Sequence, residues 1–406
     1  MTQLCRHCAA PLSIRFLDLG FAPPSNAYLT SADLQKPELS FPLRLFACGT
    51  CRLVQTEDFA ASDALFTDDY AYFSSTSKGW LSHAARYVDM VTERFDLGPE
   101  SHVIEVASND GYLLKNFVAK GIPCVGVEPT ESTAVAARAQ GIPVVQDFFG
   151  TDIVASLSQA DLIIGNNVYA HVPDINDFSR ALKLSLKPDG VITLEFPHLM
   201  RLVEFRQFDT VYHEHFSYLS FLAVDRIFAA AGLRIFDVEE LPTHGGSLRI
   251  YGCHEAADHP QRATVAALIA QEKARGMDRD DFYLAFQLQA DEVKNDFLGF
   301  LLQAKAEGKS VAGYGAAAKG NTIMNYAGVR PDLIPFICDA AAAKIGKLMP
   351  GSHIPILPPS ALRENRPDYL VILPWNIADE VKTQCSDLAA LVTRFVTAVP
   401  RLEVSE

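Results

Sequence analysis

The sequence predicts an α/β protein with a Rossmann-like core, a second Rossmann-like domain at the C-terminus and a small cysteine-rich domain at the N-terminus. Three observations carry this expectation. Short apolar runs alternate with amphipathic stretches across residues 59–253. After a long helical segment, SVAGYGAAAKGNT starts a new strand, Gly-rich turn and helix. Two Cys-x-x-Cys pairs bracket a turn-rich opening of residues 1–58. At 406 residues the chain exceeds one ordinary core.

The opening segment carries Cys5 and Cys8, then Cys48 and Cys51 near its end. Each Cys-x-x-Cys turn aims two thiolates at one point, and two such knuckles supply the four ligands of a tetrahedral Zn2+. Four protein ligands close the coordination sphere, so the expected role is structural. His7 lies inside the first knuckle and is not expected to coordinate. Cys124, Cys253, Cys338 and Cys385 are scattered, and Cys124 in the apolar run PCVGV reads as core. The start, MTQLCRHC, lacks the apolar core of a signal peptide, and no apolar run reaches the ~18 residues of a membrane span. A cytoplasmic protein with no membrane partner is therefore expected, and there paired cysteines point to metal rather than disulfides.

Hydrophobic residues at 49% and charged residues at 21% are a globular composition. A formal charge of −14 with no dense Lys/Arg cluster argues against a nucleic-acid partner. It leaves room for a small anionic ligand held by backbone N–H groups and one lysine.

Within 59–253, VIEVA, CVGVEP, LIIGNN and VITLEFP read as short buried strands, with GYLLKNFVAKG, ESTAVAARAQG and DINDFSRALKLSLKPDG as helices between them. GIPC and GIPV are helix stops running into strands. Such alternation gives βαβ crossovers and a parallel sheet. A nucleotide-type ligand then sits at the turn after the first strand. Glu105 lies at that strand's end, Ser108, Asn109 and Asp110 are small polar turn residues, Gly111 permits close backbone approach, and Tyr112 follows. Ala107 and Asn109 stand where glycines would be expected in a dinucleotide pattern, which argues against a pyrophosphate cradle. Glu128, followed by Pro129, ends the second strand, where a carboxylate can accept both ribose hydroxyls. Asp147 follows the third strand, where it could contact an adenine amino group. Three acids so distributed, with Asn166 at the end of the fourth strand, fit S-adenosylmethionine; solvated carboxylates on a generic sheet are the alternative.

NNVYAHVPD places Asn166, Asn167 and His171 beside an apolar wall, and EFPHL carries Glu195 and His198. THGGSLR (243–249) resembles a turn in which His244, Gly245 and Gly246 bring backbone donors close to a ligand. Between them lies FDTVYHEHFSYLS (208–220). On a strand, His213 and His215 would share a face, as two ligands of one metal do; no third ligand is obvious and zinc-protease spacing is absent. Three readings stand for this stretch: a catalytic metal, hydrogen-bonded core histidines, or a base site. In the last, a histidine removes a carbon-bound proton beside a carbonyl, Glu214 orients a ring or binds a hydroxyl, and Tyr212 donates to a developing enolate oxygen.

Residues 254–406 begin with TVAALIAQEKARG and DFYLAFQLQADEVKNDFLGFLLQAKAEG, whose apolar residues recur at spacings of three and four. They read as a lever between domains or a dimer face. SVAGYGAAAKGNT, LIPFICD and YLVILPW then form the second Rossmann-like unit.

In combination, the paired Cys-x-x-Cys, YAYFSSTS, EVASNDGYLL, NNVYAHVPD, YHEHFSYLS, HGGSLR and GYGAAAKGNT resemble the sugar C-methyltransferases that act at C-3 of nucleotide-linked 4-keto-deoxysugars, such as those of the mycarose, tetronitrose and kijanose pathways. The resemblance covers almost the whole chain. It implies a zinc-binding domain (1–58), a class I methyltransferase core binding S-adenosylmethionine (59–253), and a helical linker with a Rossmann-like nucleotide-sugar-binding domain (254–406). It implies His215 as the base that removes the C-3 proton, with Glu214 and Tyr212 positioning the sugar or assisting the base. Asn167 and His171 match active-site positions, and Tyr70 matches a tyrosine near the sugar, with Tyr72 its neighbouring alternative. His213 stands where some members carry an acid. GYGAAAKGNT is expected to meet the nucleotide end of the substrate through Gly315, Lys319 and Asn321. A monomer is expected. The competing readings are a methyltransferase of another carbon acid or of oxygen, and a non-catalytic zinc-ribbon binding protein.

Overall fold

Three β-sheets organise the computed structural model, which describes residues 3–57, 73–76, 78–389 and 393–405. Tyr70 and Tyr72 lie outside the described residues. The first sheet joins Ile14–Ala22, Phe41–Ala47 and Val54–Thr56 and, from far along the chain, Ser217–Tyr218, all antiparallel. The pairing of Val54 with Tyr218 ties the segment just after Tyr-His-Glu-His to the N-terminal unit.

The second sheet runs, in spatial order, Val144–Val145, Cys124–Val127, Val103–Val106, Ala160–Asn166, Leu186–Pro197, Ser247–His254 and Leu233–Leu241. Its first five strands are parallel, and Ser247–His254 inserts antiparallel to both of its neighbours. This is the class I methyltransferase arrangement that the resemblance implied. The strands read as continuous apolar runs because both faces are covered. Val88, Val91, Leu113 and Phe117 cover one face, and Phe178, Leu182, Val224 and Phe228 cover the other. Cys5, Cys48, Cys51 and Leu53 join this second core, so the cysteine knuckles are packed into the methyltransferase unit.

The third sheet runs Ile356–Leu357, Ile337–Cys338, Val311–Tyr314, Tyr369–Ile372, Arg394–Thr397 and Glu403–Ser405, with all but the last strand parallel. It is the second Rossmann-like unit. Before it, the helix Phe286–Ala306 buries Phe286, Ala290, Val293, Phe297 and Leu301, the expected helical stripe. That stripe faces neither solvent nor a second copy. It shares one core with Phe16 and Leu17 of the first sheet and with Ile337 and Val371 of the third. Phe286 stacks on Phe16 with ring centroids 4.8 Å apart. Among the described residues no helix is long and apolar enough to cross a membrane.

Candidate active site

The ligand atoms of Cys5, Cys8, Cys48 and Cys51 lie within 4.8 Å of one another. The Cys5–Cys51 and Cys8–Cys48 sulfur pairs are each 3.5 Å apart. Four sulfurs at this spacing fit a tetrahedral Zn2+ with no open position. Amide hydrogens converge on them: Thr50 N and Cys51 N donate to Cys48 Sγ at 3.4 and 3.5 Å, and Gln55 Nε2 donates to Cys5 Sγ at 3.2 Å. The hydrogen bond from Cys51 draws the Cys5 thiol down to about 4, so a thiolate is favoured there. His7 does not join the cluster. Its Nδ1 lies 2.8 Å from Asn176 Oδ1, while Asn176 Nδ2 donates to the carbonyls of Arg6 and His7. The first knuckle is thereby docked on the start of the helix Ile175–Ser185.

At the carboxyl end of Val103–Val106 the chain turns through Ala107, Asn109 and Gly111, with φ of 54°, 50° and 79°. Ala107 and Asn109 thus adopt the left-handed backbone that glycine usually supplies, so their side chains do not abolish the tight turn. Glu128 accepts from Asn109 N at 2.9 Å and Thr130 N at 3.0 Å, one bond per carboxylate oxygen. Each oxygen keeps a lone pair for a ribose hydroxyl. The segment 73–76 lies over this turn, with Ser74 N donating to Asn109 Oδ1 and Ser75 N to Asp110 Oδ2. Tyr112 is buried behind it. Several buried polar atoms here have no partner within the protein: Glu105 Oε2, Ser108 Oγ and Asp110 Oδ1. Each such group costs about 1–3 kcal/mol, so a cluster of them marks a site shaped for a polar ligand. Burial, reinforced by Glu128 and Asp110, holds the Glu105 carboxyl well above its usual range. A cationic ligand nearby offsets that penalty, and these residues fit S-adenosylmethionine. Asp147 is exposed at the rim, and its Oδ1 accepts from Phe148 N at 2.8 Å.

Gly126 sets how closely the turn approaches the second strand. A Cβ there would lie 2.3 Å from Ser108 Oγ and 2.8 Å from Ser108 Cβ. Gly126→Ala is expected to displace the turn and weaken S-adenosylhomocysteine binding about tenfold or more, measured by calorimetry, with the circular dichroism spectrum unchanged.

The carboxyl ends of the second and third sheets converge on the stretch 208–216. The His215 ring centroid is 4.4 Å from His171, 4.7 Å from Tyr212 and 5.9 Å from Tyr218. Burial, then the neighbouring His171 and His244, holds His215 well below the usual histidine range. Burial also lowers His171 and His244, each to about 4. All three imidazoles are neutral at pH 7. Asn167, at φ 54°, places Nδ2 3.3 Å from His244 Nε2 and buries Oδ1 without a protein partner. His244 (φ 53°) leads into Gly245, where a Cβ would come within 2.6 Å of both Gln207 and Trp375.

His213 points elsewhere. Residues 213–214 form a turn, and the strand begins only at Ser217, so strand alternation does not apply. His213 Nε2 lies 3.3 Å from the Phe41 carbonyl oxygen, against the first sheet. The two histidines therefore do not share a ligand. Among the described residues the cysteine quartet is the group able to hold a metal. Between them, Glu214 is buried, and its carboxyl is pushed up to about 7.

From the third sheet, Gly315 (φ 87°) approaches Pro374 so closely that a Cβ would lie 2.4 Å from its Cδ. Lys319 Nζ donates to Asn376 Oδ1 at 2.7 Å and sits 4.5 Å from the Trp375 ring centroid. Trp375 Nε1 donates to Asp209 Oδ2 at 2.7 Å, and Thr322 Oγ1 donates to the Val211 carbonyl at 2.9 Å. These bonds fasten the third sheet to the stretch that carries His215. Asn321 is buried and spends Nδ2 on the Ser25 carbonyl at 2.6 Å.

Sequence reasoning missed the group around Glu195. His83 Nε2 lies 2.9 Å from Glu195 Oε2, Arg249 Nη2 donates to the same oxygen at 2.8 Å, and Thr243 Oγ1 donates to Oε1 at 3.0 Å. Trp80 stacks on His83 and meets His244 edge-on, with centroids 4.9 and 5.4 Å apart. His198 is structural: it bonds Glu272, which also accepts from Phe221 N and Leu222 N at the start of a helix.

Three family models match the chain in succession: "Putative zinc binding domain" over residues 5–66, "Methyltransferase domain" over 80–238 and "C-methyltransferase C-terminal domain" over 242–400. The C-methyltransferase NovU of Streptomyces niveus is 32% identical over 404 residues, spanning 98% of this chain and 96% of that protein. Among solved structures, magnesium protoporphyrin IX methyltransferase of Synechocystis PCC 6803 with bound SAH is 13% identical at a TM-score of 0.36, covering 43% of this chain and 84% of that one. An S-adenosylmethionine-dependent methyltransferase of Clostridium acetobutylicum is 12% identical at a TM-score of 0.34, covering 43% and 92%.

Proposed function

The chain belongs to the C-methyltransferase family, and we propose that it methylates C-3 of a nucleotide-linked 4-keto-deoxysugar. The observation that carries this reading is the convergence of three neutral histidines, Tyr212 and Glu214 between the carboxyl ends of two Rossmann-like sheets. S-adenosylmethionine supplies an electrophilic sulfonium methyl, which leaves alignment and proton transfer to the protein.

The carbonyl at C-4 acidifies the C-3 hydrogen, and His215 is the base that takes it. Its ring is unprotonated at neutral pH because burial disfavours the imidazolium. Negative charge developing on the enolate raises its proton affinity as the proton moves. Burial holds Tyr212 well above the usual phenol range, so its hydroxyl stays protonated and donates to the enolate oxygen. His171 packs against the His215 ring and limits its rotation. Glu214, near neutrality in its proton affinity, positions the sugar or assists the base. Gly315 and Lys319 meet the nucleotide end: a close-approach backbone turn and a cation suit a diphosphate.

The test is turnover by mass spectrometry against a panel of thymidine- and guanosine-diphosphate sugars, each as 4-keto and 4-hydroxy forms. The reading expects a one-methyl mass gain confined to 4-keto members. A gain on the 4-hydroxy members would instead favour oxygen methylation.

A further inference from the structure

We propose that Asn26, from the zinc-bearing N-terminal region, is a positioning residue that fixes the Glu214 carboxyl in the site. Its Nδ2 lies 3.1 Å from both Glu214 oxygens. Glu214 is otherwise encased: 3% of it is exposed, while the Asn26 side of the contact opens to solvent. The short segment around Asn26 is itself anchored at both ends. Ser25 offers its carbonyl to Asn321 Nδ2 at 2.6 Å, and Tyr28 donates its hydroxyl to the Ala316 carbonyl at 2.6 Å. Backbone bonds from Ala27 N to Pro24 O and from Tyr28 N to Asn26 O close a tight turn between these anchors. The turn therefore links three units: the N-terminal segment, the third sheet's first helix and the turn that carries Glu214.

The charged and titratable groups facing Glu214 are few. Tyr212 and Tyr218 flank it on its own segment, Tyr28 faces it from the N-terminal turn, and His171 hydrogen-bonds its backbone carbonyl. None is a cation at neutral pH. Burial raises the carboxyl to about 7, and the Asn26 hydrogen bond is the interaction that lowers it. A donor to the ionised form stabilises the carboxylate, so removing it must raise the proton affinity further. Asn26 thus keeps Glu214 able to exchange a proton at neutral pH, where acid–base groups work best. The importance of that exchange rests on the proposed reaction; the positioning itself does not.

The test is a titration of Glu carboxyl carbons by 13C NMR in the full-length zinc-loaded protein, with Glu214→Gln identifying the resonance. A midpoint near 7 is expected in the parent protein. In Asn26→Ala it is expected to rise by about one unit, a tenfold change in proton affinity. Asn26→Asp, which replaces the donor by an acid, should raise it at least as far. Zinc content and S-adenosylhomocysteine affinity should not change in either variant. An unmoved midpoint in Asn26→Ala, or a parent midpoint in the ordinary glutamate range, overturns the proposal. Because the readout needs no substrate, failure of the proposed reaction would register separately, as absent turnover with a normal titration.

Discussion

Asn in place of His215 is expected to lower methyl transfer by about 10²–10⁴-fold while leaving S-adenosylhomocysteine affinity within about twofold. The cofactor turn and Glu128 belong to a different part of the sheet, so their bonds do not depend on the imidazole. The loss should fall on kcat, because the proton is abstracted on the way to the transition state. Single-turnover kinetics with calorimetry separate the two effects. The expected pH dependence follows from the direction of the His215 shift. Burial favours the neutral ring, so its protonation and the attendant loss of activity lie on the acid side of the usual histidine range. Near-normal turnover in the variant would remove His215 from the role of base.

The second large effect is loss of the metal. Cys48→Ser removes a fully buried ligand that also accepts two backbone N–H bonds. Structural Zn2+ contributes about 10 kcal/mol or more of binding free energy to the fold around it. The first sheet depends on both knuckles, and it holds Ser217–Tyr218 and the carbonyl that His213 bonds. The variant is expected to contain no zinc by elemental analysis and to lose turnover at least tenfold, while still binding S-adenosylhomocysteine. Full turnover with the zinc removed would sever the first sheet from the site.

Much of this architecture was legible in the sequence because its signals are local. The strands from VIEVA to VITLEFP are apolar runs bounded by helix stops, and the structure forms them as a parallel series. The cysteine quartet was legible because ligand spacing is short and the chemistry is specific. Ala107 and Asn109 spoke against a pyrophosphate cradle, but the backbone they adopt was not legible: both residues take the left-handed conformation that glycine usually supplies. Strand alternation does not apply at His213 and His215, because the stretch is a turn and the paired strand starts two residues after His215. Asn26, Trp80, His83 and Trp375 could not be placed from sequence. They reach the site from three different units, and the bonded pairs Asn26–Glu214, His83–Glu195 and Trp375–Asp209 are separated by 188, 112 and 166 residues in the chain. No periodicity encodes such separations.

The most direct measurement is the position of the transferred carbon. S-adenosylmethionine labelled with 13C at its methyl is incubated with the enzyme and a 4-keto-deoxysugar nucleotide, and the product is read by two-dimensional NMR. The account predicts a labelled methyl on C-3, correlated with the C-4 carbonyl, and formed about 10²–10⁴-fold more slowly with His215→Asn. A labelled methyl on oxygen or on another carbon would contradict it.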